Sequence, residues 1–184
     1  MPLADAAPRA PVHTRRITLV GYRREDGNFD IEANLVDTKS YDFSLNAGGT
    51  LTAGQHVHGM AMRWTVNMDF EILAVEAAMD DTPYGICPQI APNFERLAGL
   101  RIGRGFLREA AGRVAGPAGC VHLRELIQQM ATVAFQTISP LKRSFGTPSS
   151  GRGLVDTCYA HAADGELVRQ RWPDLYTGAE KAEG

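Results

Sequence analysis

Residues 29–37 read FDIEANLVD, and this stretch decides the fold. Apolar and polar side chains alternate along it with a period of two, which is typical of a strand with one buried face. The buried face is predicted to carry Phe29, Ile31, Ala33 and Leu35. A second β-prone run, ITLVGYRR at residues 17–24, lies just before it, and the connection contains Asp26-Gly27. Because Asp-Gly between β-prone runs is a hairpin signal, we expect an antiparallel hairpin here.

Two more strand candidates follow a polar, glycine-containing connection at residues 38–54. Residues 56–67 read HVHGMAMRWTVN and alternate in the same way. One face of this run carries His58, Met60, Met62, Trp64 and Val66. Residues 70–79 are predicted to return antiparallel after a tight turn at Met68-Asp69.

This arrangement predicts a register for the second hairpin. On the core face it pairs Trp64 with Leu73 and Met62 with Val75. On the opposite face Arg63 and Glu76 are diagonal neighbours, close enough to form an ion pair.

The pattern changes after Asp80, where prolines interrupt the strand and helical spacing begins. Helices are predicted at residues 92–98, 103–114 and 121–138, with a further short helix or strand within 154–172. The helix at 121–138 has the clearest i, i+3, i+4 spacing, and Pro140 is expected to end it. Strands first and helices afterwards indicate an α+β fold: an antiparallel sheet of about four strands with three to four helices packed on one face.

The length of 184 residues suits one domain. We predict a single domain at 15–176, between a disordered N-terminal tail at 1–14 and a frayed C-terminal tail at 177–184. A flexible loop is expected at 147–153, TPSSGRG. The N-terminal tail lacks the apolar stretch of a signal peptide, and three widely spaced cysteines argue against a disulfide framework, so a reducing cytoplasm is expected.

Composition narrows the class of partner. The formal net charge of −2 gives no electrostatic reason to expect nucleic acid or an anionic membrane. No apolar run approaches the roughly 20 residues that a spanning helix requires. The chain has no Walker A loop, no GxGxxG after a strand and no GxSxG. A small-molecule substrate is therefore the expected partner, with no nucleic acid and no membrane.

The best candidates for chemistry are Cys120 and His122, in the segment GCVHL that opens the predicted helix at 121–138. A helix N-terminus favours negative charge, so a thiol there can ionise below its usual pKa, and a nearby imidazole could orient or activate it. The alternative is a small buried cysteine and a histidine that caps the turn.

His58 shares its face with Met60, Met62 and Trp64. A histidine at the edge of an apolar face is either a satisfied core residue or a base that lines a pocket. Arg63 and Glu76 form an ordinary ion pair or, if their face is covered, polarise a substrate oxygen. Weaker supporting candidates are Asp37, Tyr22 and Tyr84.

A zinc site is the alternative to a site without metal. The soft ligands available are Cys87, Cys120, Cys158, His58, His122 and His161. No close pair among them has a recognised metal-ligand spacing.

From about Arg16 to Trp172 the order of segments resembles the bacterial family called domain of unknown function 2889. The resemblance rests on GYRREDGNFDIEANLVDTK, HGMAMRWTVN, ILAVEAAMDDTPYGIC, LAGLRIGRGF, GCVHLRELIQQMATVAFQT, and DTCYAH with RWP. It implies that His58, Glu76, Cys87, Cys120, His122 and Cys158 fall in family motif segments. In the family pattern an acidic residue typically follows His58, whereas this chain has Gly59. The resemblance implies a small cytoplasmic protein linked to catabolism of aromatic or acyl compounds.

The leading hypothesis is a small-molecule enzyme without an organic cofactor, of lyase or isomerase type. His58 and His122, with Cys120 and Glu76, form the expected catalytic set. Retro-aldol cleavage that releases formaldehyde from a hydrophobic aromatic intermediate is its concrete form. The substrate is expected to contact Tyr22, Met60, Met62, Arg63, Trp64 and Tyr84.

Two alternatives remain at this point. The methionine and tryptophan stripe could be core or a homodimer interface in a non-enzymatic ligand-binding or assembly module. A zinc-dependent hydrolase is the other. The enzyme hypothesis requires that the imidazoles of His58 and His122 converge on one cavity.

Overall fold

The structure, a computed structural model, describes residues 3–144 and 151–178. The chain divides into two compact units, and the boundary along the sequence falls between Ile138 and Ser139. Most of the loop predicted at 147–153, and most of the tail predicted at 177–184, lies outside the described residues. The single domain predicted at 15–176 stays a prediction.

The first unit contains a four-stranded antiparallel sheet in the order β1-β2-β5-β6. Its strands are β1 (His13–Arg23), β2 (Phe29–Lys39), β5 (His56–Val66) and β6 (Ile72–Asp81). The short strands β3 (Phe43–Ser44) and β4 (Thr50–Leu51) form a separate hairpin in the connection between β2 and β5. The meander and the α+β class are as expected, and β1 begins four residues earlier than the predicted run.

Helical segments follow the sheet. They are a 3₁₀ helix at Cys87–Leu97, α1 at Phe106–Val114, a 3₁₀ turn at Gly116–Ala118 and α2 at Val121–Ser144. The second unit adds a 3₁₀ turn at Tyr159–His161, α3 at Glu166–Arg171 and a 3₁₀ turn at Pro173–Leu175. Among the described residues no helix has the length and apolar character needed to cross a bilayer.

The core of the first unit lies between one face of its sheet and its own helical segments, from Cys87 to Ile138. The alternating face of β2 is fully buried, as predicted, and Trp64 of β5 lies against the edge of Phe106 of α1, 5.9 Å between ring centroids. Helix α2 approaches β1 at Gly21, where an added Cβ would lie 3.0 Å from Cβ of Thr137. Gly21 therefore lets the helix sit directly against the strand.

The register of the second hairpin differs from the prediction by two residues. Trp64 is opposite Val75, and Arg63 is directly opposite Glu76. The turn is longer than expected because it runs from Asn67 to Glu71, whose backbone carbonyl accepts the Asn67 N–H at 3.0 Å. A shift of two keeps the side chains from Ala74 to Met79 on their predicted faces. An irregularity in the pairing reverses the two residues before them: Leu73 is 45% exposed, and Ile72 is buried opposite Val66.

Pro140 does not end α2, which continues to Ser144. A proline removes one backbone hydrogen bond, and the helix was predicted to end at Pro140 for that reason. Pro140 is exposed, so water can satisfy the carbonyl that lost its partner, and the helix tolerates the loss.

Candidate functional site

A buried carboxylate, Asp37, marks one end of the sheet's core face. Asp37 follows Leu35 by two positions on β2, so it continues the apolar face instead of pointing to solvent. It lies opposite His58 of β5, and its side chain is 1% exposed. Because a buried charge is costly without partners, the surroundings of Asp37 decide what this end of the sheet can do.

Three side chains surround the carboxylate of Asp37. Arg15, directly opposite on β1, donates from Nε to Oδ1 at 2.8 Å and from Nη2 to Oδ2 at 2.7 Å. Nδ1 of His58 lies 2.9 Å from Oδ2, and Nε2 of His13 lies 3.3 Å from Oδ1. Burial alone would raise the pKa of Asp37, but the hydrogen bonds from Arg15 and His58 outweigh it and lower the pKa to about 2. Asp37 is therefore ionised at any physiological pH.

This contact fixes the tautomer of His58. An ionised carboxylate can only accept a hydrogen bond, so Nδ1 of His58 carries the proton and donates it to Asp37. In the neutral imidazole the lone pair is then on Nε2, the nitrogen turned away from Asp37. The His58 side chain is 14% exposed, so it is held in place while it keeps access to solvent.

The first turn of α2 brings a second imidazole onto His58. The ring centroids of His58 and His122 are 3.9 Å apart, and the ring planes are inclined by 37°. Burial, the neighbouring His58 and the positive charge of Arg15 all lower the pKa of His122. His122 is therefore neutral at pH 7. One of its ring nitrogens can donate a hydrogen bond, and the other can accept a proton.

Cys120 completes the group. Its carbonyl accepts the Arg124 N–H at 3.0 Å, which makes it the residue just before α2. Its Sγ lies 3.8 Å from Nδ1 of His122, and both side chains are half-buried. Glu125, one turn further along α2, pairs with Arg15, so Arg15 links β1, β2 and α2 around the site.

His58 and His122 lie side by side, which is one half of the expectation from the sequence. The shared cavity that the enzyme hypothesis also requires stays a prediction. The other members of the predicted set lie elsewhere. Glu76 is on the opposite face of the sheet, where Nη2 of Arg63 is 2.6 Å from its Oε2. Tyr22 is on that outer face as well and is exposed. A depression of about 280 Å³ on the outer face, between Glu32 and Ala78, includes both Arg63 and Glu76.

The residues predicted to hold a hydrophobic substrate are mostly core. Met60, Met62 and Trp64 are 4%, 2% and 0% exposed, and the indole N–H of Trp64 points to Sδ of Met62 at 3.0 Å. Tyr84 is exposed in the loop after β6, and its hydroxyl accepts from Nδ2 of Asn46 at 3.4 Å. We therefore assign no ligand contact to the buried methionine and tryptophan face.

Three further thiols and imidazoles that the sequence offered as metal ligands do not join the site: Cys87, Cys158 and His161. Cys87 begins the long 3₁₀ helix and is half-buried. Cys158 and His161 contact each other in the second unit, 3.3 Å between Sγ and Nδ1. The three carboxylate and imidazole groups that converge as potential metal ligands are Asp37, His58 and His122, whose ligand atoms lie within 4.8 Å of one another.

Gly59 departs from the family pattern expected at this position, and the structure shows what replaces the missing acid. The carboxylate that orients His58 is Asp37, from the neighbouring strand. Gly59 instead leaves room for the carboxylate of Asp81, which an added Cβ would strike. Asp81 accepts from Nδ1 of His56 at 2.9 Å, in a second but exposed imidazole–carboxylate pair.

Sequence reasoning gave Asp37 little weight and did not single out Arg15, His13 or Glu125. One signal was available. Asp37 is the next position after Leu35 on the predicted core face, and a charge there requires a buried partner. In the structure Arg15 lies opposite Asp37, on a strand that begins four residues before the predicted run.

The site makes the stability of the fold depend on pH. Asp37 has a folded pKa of about 2 against an ordinary value of 3.8, so the unfolded chain binds more protons between these values. The pKa of His122 in the folded chain is below its ordinary value of 6.5, so the unfolded chain binds this proton at a higher pH than the folded chain does. The free energy of unfolding is therefore expected to fall as the pH drops below 6.5, and again as it drops from 4 to 2.

Urea unfolding at a series of pH values measures this dependence. The His122→Gln variant should lose part of the decrease that begins below pH 6.5. His161→Gln, in the second unit, should keep all of it. An unchanged pH profile in His122→Gln would show that His122 does not resist protonation in the folded protein.

Comparison with known proteins identifies a family but no activity. A family model described as "Protein of unknown function (DUF2889)" matches residues 13–136, about two thirds of the chain. The match runs from the start of β1 into α2 and includes Arg15, Asp37, His58, Cys120 and His122. No curated protein and no solved structure is significantly similar. The chain belongs to the DUF2889 family of proteins of unknown function.

Proposed function

We propose that this chain is a small-molecule enzyme that uses His58 and His122 for proton transfer, without an organic cofactor. The observation that carries the proposal is the stacking of the two rings, 3.9 Å apart, with His58 hydrogen-bonded to a buried, ionised Asp37. Fixed imidazoles of this kind are suited to general acid–base catalysis, since their orientation is set before a substrate binds. The family match alone supplies no activity.

The two imidazoles have different roles in this proposal. His58 acts as the general base through Nε2, because Asp37 holds the proton on Nδ1 and stabilises the imidazolium that forms. His122 is neutral at pH 7 and acts as a hydrogen-bond donor that polarises a carbonyl oxygen. This second role was expected for Tyr22, Arg63 or Glu76, but all three lie on the opposite face of the sheet.

The reaction that we propose is a retro-aldol cleavage of lyase type. His58 removes the hydroxyl proton from a hydroxymethyl group that is β to a carbonyl. The C–C bond breaks, formaldehyde leaves, and the electron pair moves into the carbonyl to give an enolate. The N–H of His122 stabilises the enolate oxygen, and the imidazolium of His58 returns its proton to the α carbon. Atoms and charge balance without an oxidant or reductant.

The substrate class follows from the same requirements. It needs a hydroxymethyl group, a conjugated carbonyl and an apolar body that fits beside a half-buried site, so an aromatic β-hydroxy aldehyde or ketone is the simplest choice. The resemblance to proteins linked with catabolism of aromatic compounds supports this class. The cytoplasm remains the expected compartment.

The experiment that tests the function is a formaldehyde-release assay on the full chain. The purified protein is incubated with a panel of aryl-substituted β-hydroxymethyl aldehydes and ketones, and with matched compounds whose hydroxyl is methylated. We expect release only from compounds with a free hydroxyl, because the base must remove that proton. Release from the methylated compounds, or from none of the panel, would count against the retro-aldol reaction.

A non-enzymatic ligand-binding or assembly module is a second candidate. It is favoured by the burial of Met60, Met62 and Trp64, which are core and not the walls of an open pocket. The two candidates differ in one measurable respect. A binding module holds the panel compounds without converting them, and its affinity does not depend on the protonation of His58 and His122.

A further inference from the structure

Two helices of the first unit leave between them a groove that the proposed function does not use. It has a volume of about 170 Å³ and lies between α1 and the first two turns of α2. We propose that this groove binds a small monocarboxylic acid whose apolar body is about the size of a benzene ring. The inference does not rest on the proposed function.

The floor of the groove is apolar. Ala110 and Val114 of α1 and Ile127 of α2 line it, and all three are buried. Leu107 of α1 also belongs to the lining and is exposed, so part of a large apolar side chain faces the open groove. A ligand with an apolar body would remove this surface from water, which favours binding.

Two polar side chains of α2 complete the lining. Arg124 and Gln128 are one turn apart on the same side of the helix, and both are exposed. Within the described residues, 3–144 and 151–178, neither side chain has a hydrogen bond or an ion pair. Glu125, the carboxylate next to Arg124 in the chain, pairs with Arg15 instead. The groove therefore has an unmatched positive charge at its edge, and the N–H groups of Arg124 and Gln128 can donate to both oxygens of a carboxylate.

The size and the charge of the groove together define the ligand. An apolar cavity of about 150 Å³ can hold a benzene molecule, whereas pockets for drug-sized ligands measure about 300–1,000 Å³. The volume of about 170 Å³ therefore suits a single small ring. A neutral ligand would leave the charge of Arg124 unmatched, and a dicarboxylate would bring its second charge against the buried apolar floor, which is costly. A benzoate-type anion satisfies both requirements.

The connection between α1 and α2 holds the groove in shape. Gly119 passes so close to the end of α1 that an added Cβ would strike the carbonyl oxygen of Val114. Asn93, from the long 3₁₀ helix, donates from Nδ2 to the carbonyl oxygen of Ala118 in the same connection. Because the walls are fixed before a ligand arrives, binding costs little conformational entropy.

The groove and the imidazole site lie on different sides of α2. Arg124 follows His122 by two positions, which is a rotation of about 200° around the helix axis. His122 turns towards His58 of the sheet, and Arg124 turns towards α1. A ligand in the groove therefore leaves both imidazoles uncovered, and its binding can be measured apart from any reaction at them.

Nuclear magnetic resonance on the ¹⁵N-labelled full chain tests the site, with sodium benzoate as the probe at neutral pH and constant ionic strength. We expect saturable shifts of the amide signals of Ala111, Arg124 and Gln128, with a Kd of about 0.1–1 mM for a ligand of so few atoms. Benzyl alcohol has the ring without the charge, and acetate has the charge without the ring. Each should bind at least about fivefold more weakly than benzoate.

Arg124→Gln should weaken benzoate binding at least about fivefold and leave the weak binding of benzyl alcohol unchanged. The matched control is Arg108→Gln, which removes the same charge from an exposed position of α1 outside the groove lining. It should bind benzoate as the unaltered protein does. Absence of saturable binding, equal affinity for benzoate and benzyl alcohol, equal losses in the two variants, or shifts centred on His58 and His122 instead of the groove would overturn the inference.

Discussion

Replacing Asp37 with alanine is expected to lower the free energy of unfolding by about 1.5–3 kcal/mol, the size of the hydrogen bonds to a charged group that it removes. The variant loses a fully buried carboxylate and leaves Arg15 and His58 without their main partner. The guanidinium of Arg15 is 30% exposed, so water solvates part of it in the variant, and the cost comes mainly from the lost charge-assisted hydrogen bonds of the buried carboxylate. Asp37→Asn keeps the shape but not the charge, and is expected to cost less than the alanine variant.

Urea unfolding at pH 7.5 measures both variants against a matched control. Asp81→Ala removes a carboxylate that is also 2.9 Å from a histidine Nδ1, but Asp81 is 44% exposed. Its loss should change the free energy of unfolding by no more than about 1 kcal/mol. Equal effects of Asp37→Ala and Asp81→Ala would contradict the importance of the buried network.

Replacing His58 with glutamine is expected to reduce kcat for formaldehyde release by 10²- to 10⁴-fold, roughly the contribution of one general base. Glutamine can still donate to Asp37, so the contact that supports the fold is kept. It offers no nitrogen that can take a proton at neutral pH. His122→Gln should lower kcat as well, because the enolate loses its donor.

His56→Gln is the matched control, two residues earlier on the same strand and also paired with a carboxylate. It is exposed and outside the site, so turnover should be unchanged. His58→Ala offers a second measurement, since added imidazole should restore part of its activity if the lost group is a base. Trp64 fluorescence reports whether each variant keeps its core. Full activity in folded His58→Gln would end the proposal.

Most of the fold could be predicted from local patterns in the sequence. The alternation in β2, the Asp-Gly connection and the spacing in α2 each depend on neighbouring residues, so the sequence predicts them directly. The second hairpin shows the limit. Its turn includes Phe70 in the left-handed backbone region, with φ 65°, and a phenylalanine does not predict that conformation. The turn is therefore longer than predicted, and the register of the hairpin differs by two residues.

Only part of the site could be predicted from the sequence. His58, His122 and Cys120 stand out because few residue types carry acid–base chemistry. The pattern already placed Glu76 on the face opposite the core, and Glu76 was included on the condition that this face is covered as well. Asp37 and Arg15 were missed as a pair because their importance comes from burial, which depends on the position of α2.

The most direct test of the account is the contact between the two imidazoles. Proton–nitrogen NMR on histidine-labelled protein assigns the tautomer of each ring, and nuclear Overhauser effects report which ring protons are close. The account predicts a proton on Nδ1 of His58, lost from that position in Asp37→Ala, and cross-peaks between the rings of His58 and His122. Absence of these cross-peaks, or a His58 protonated only on Nε2, would contradict it.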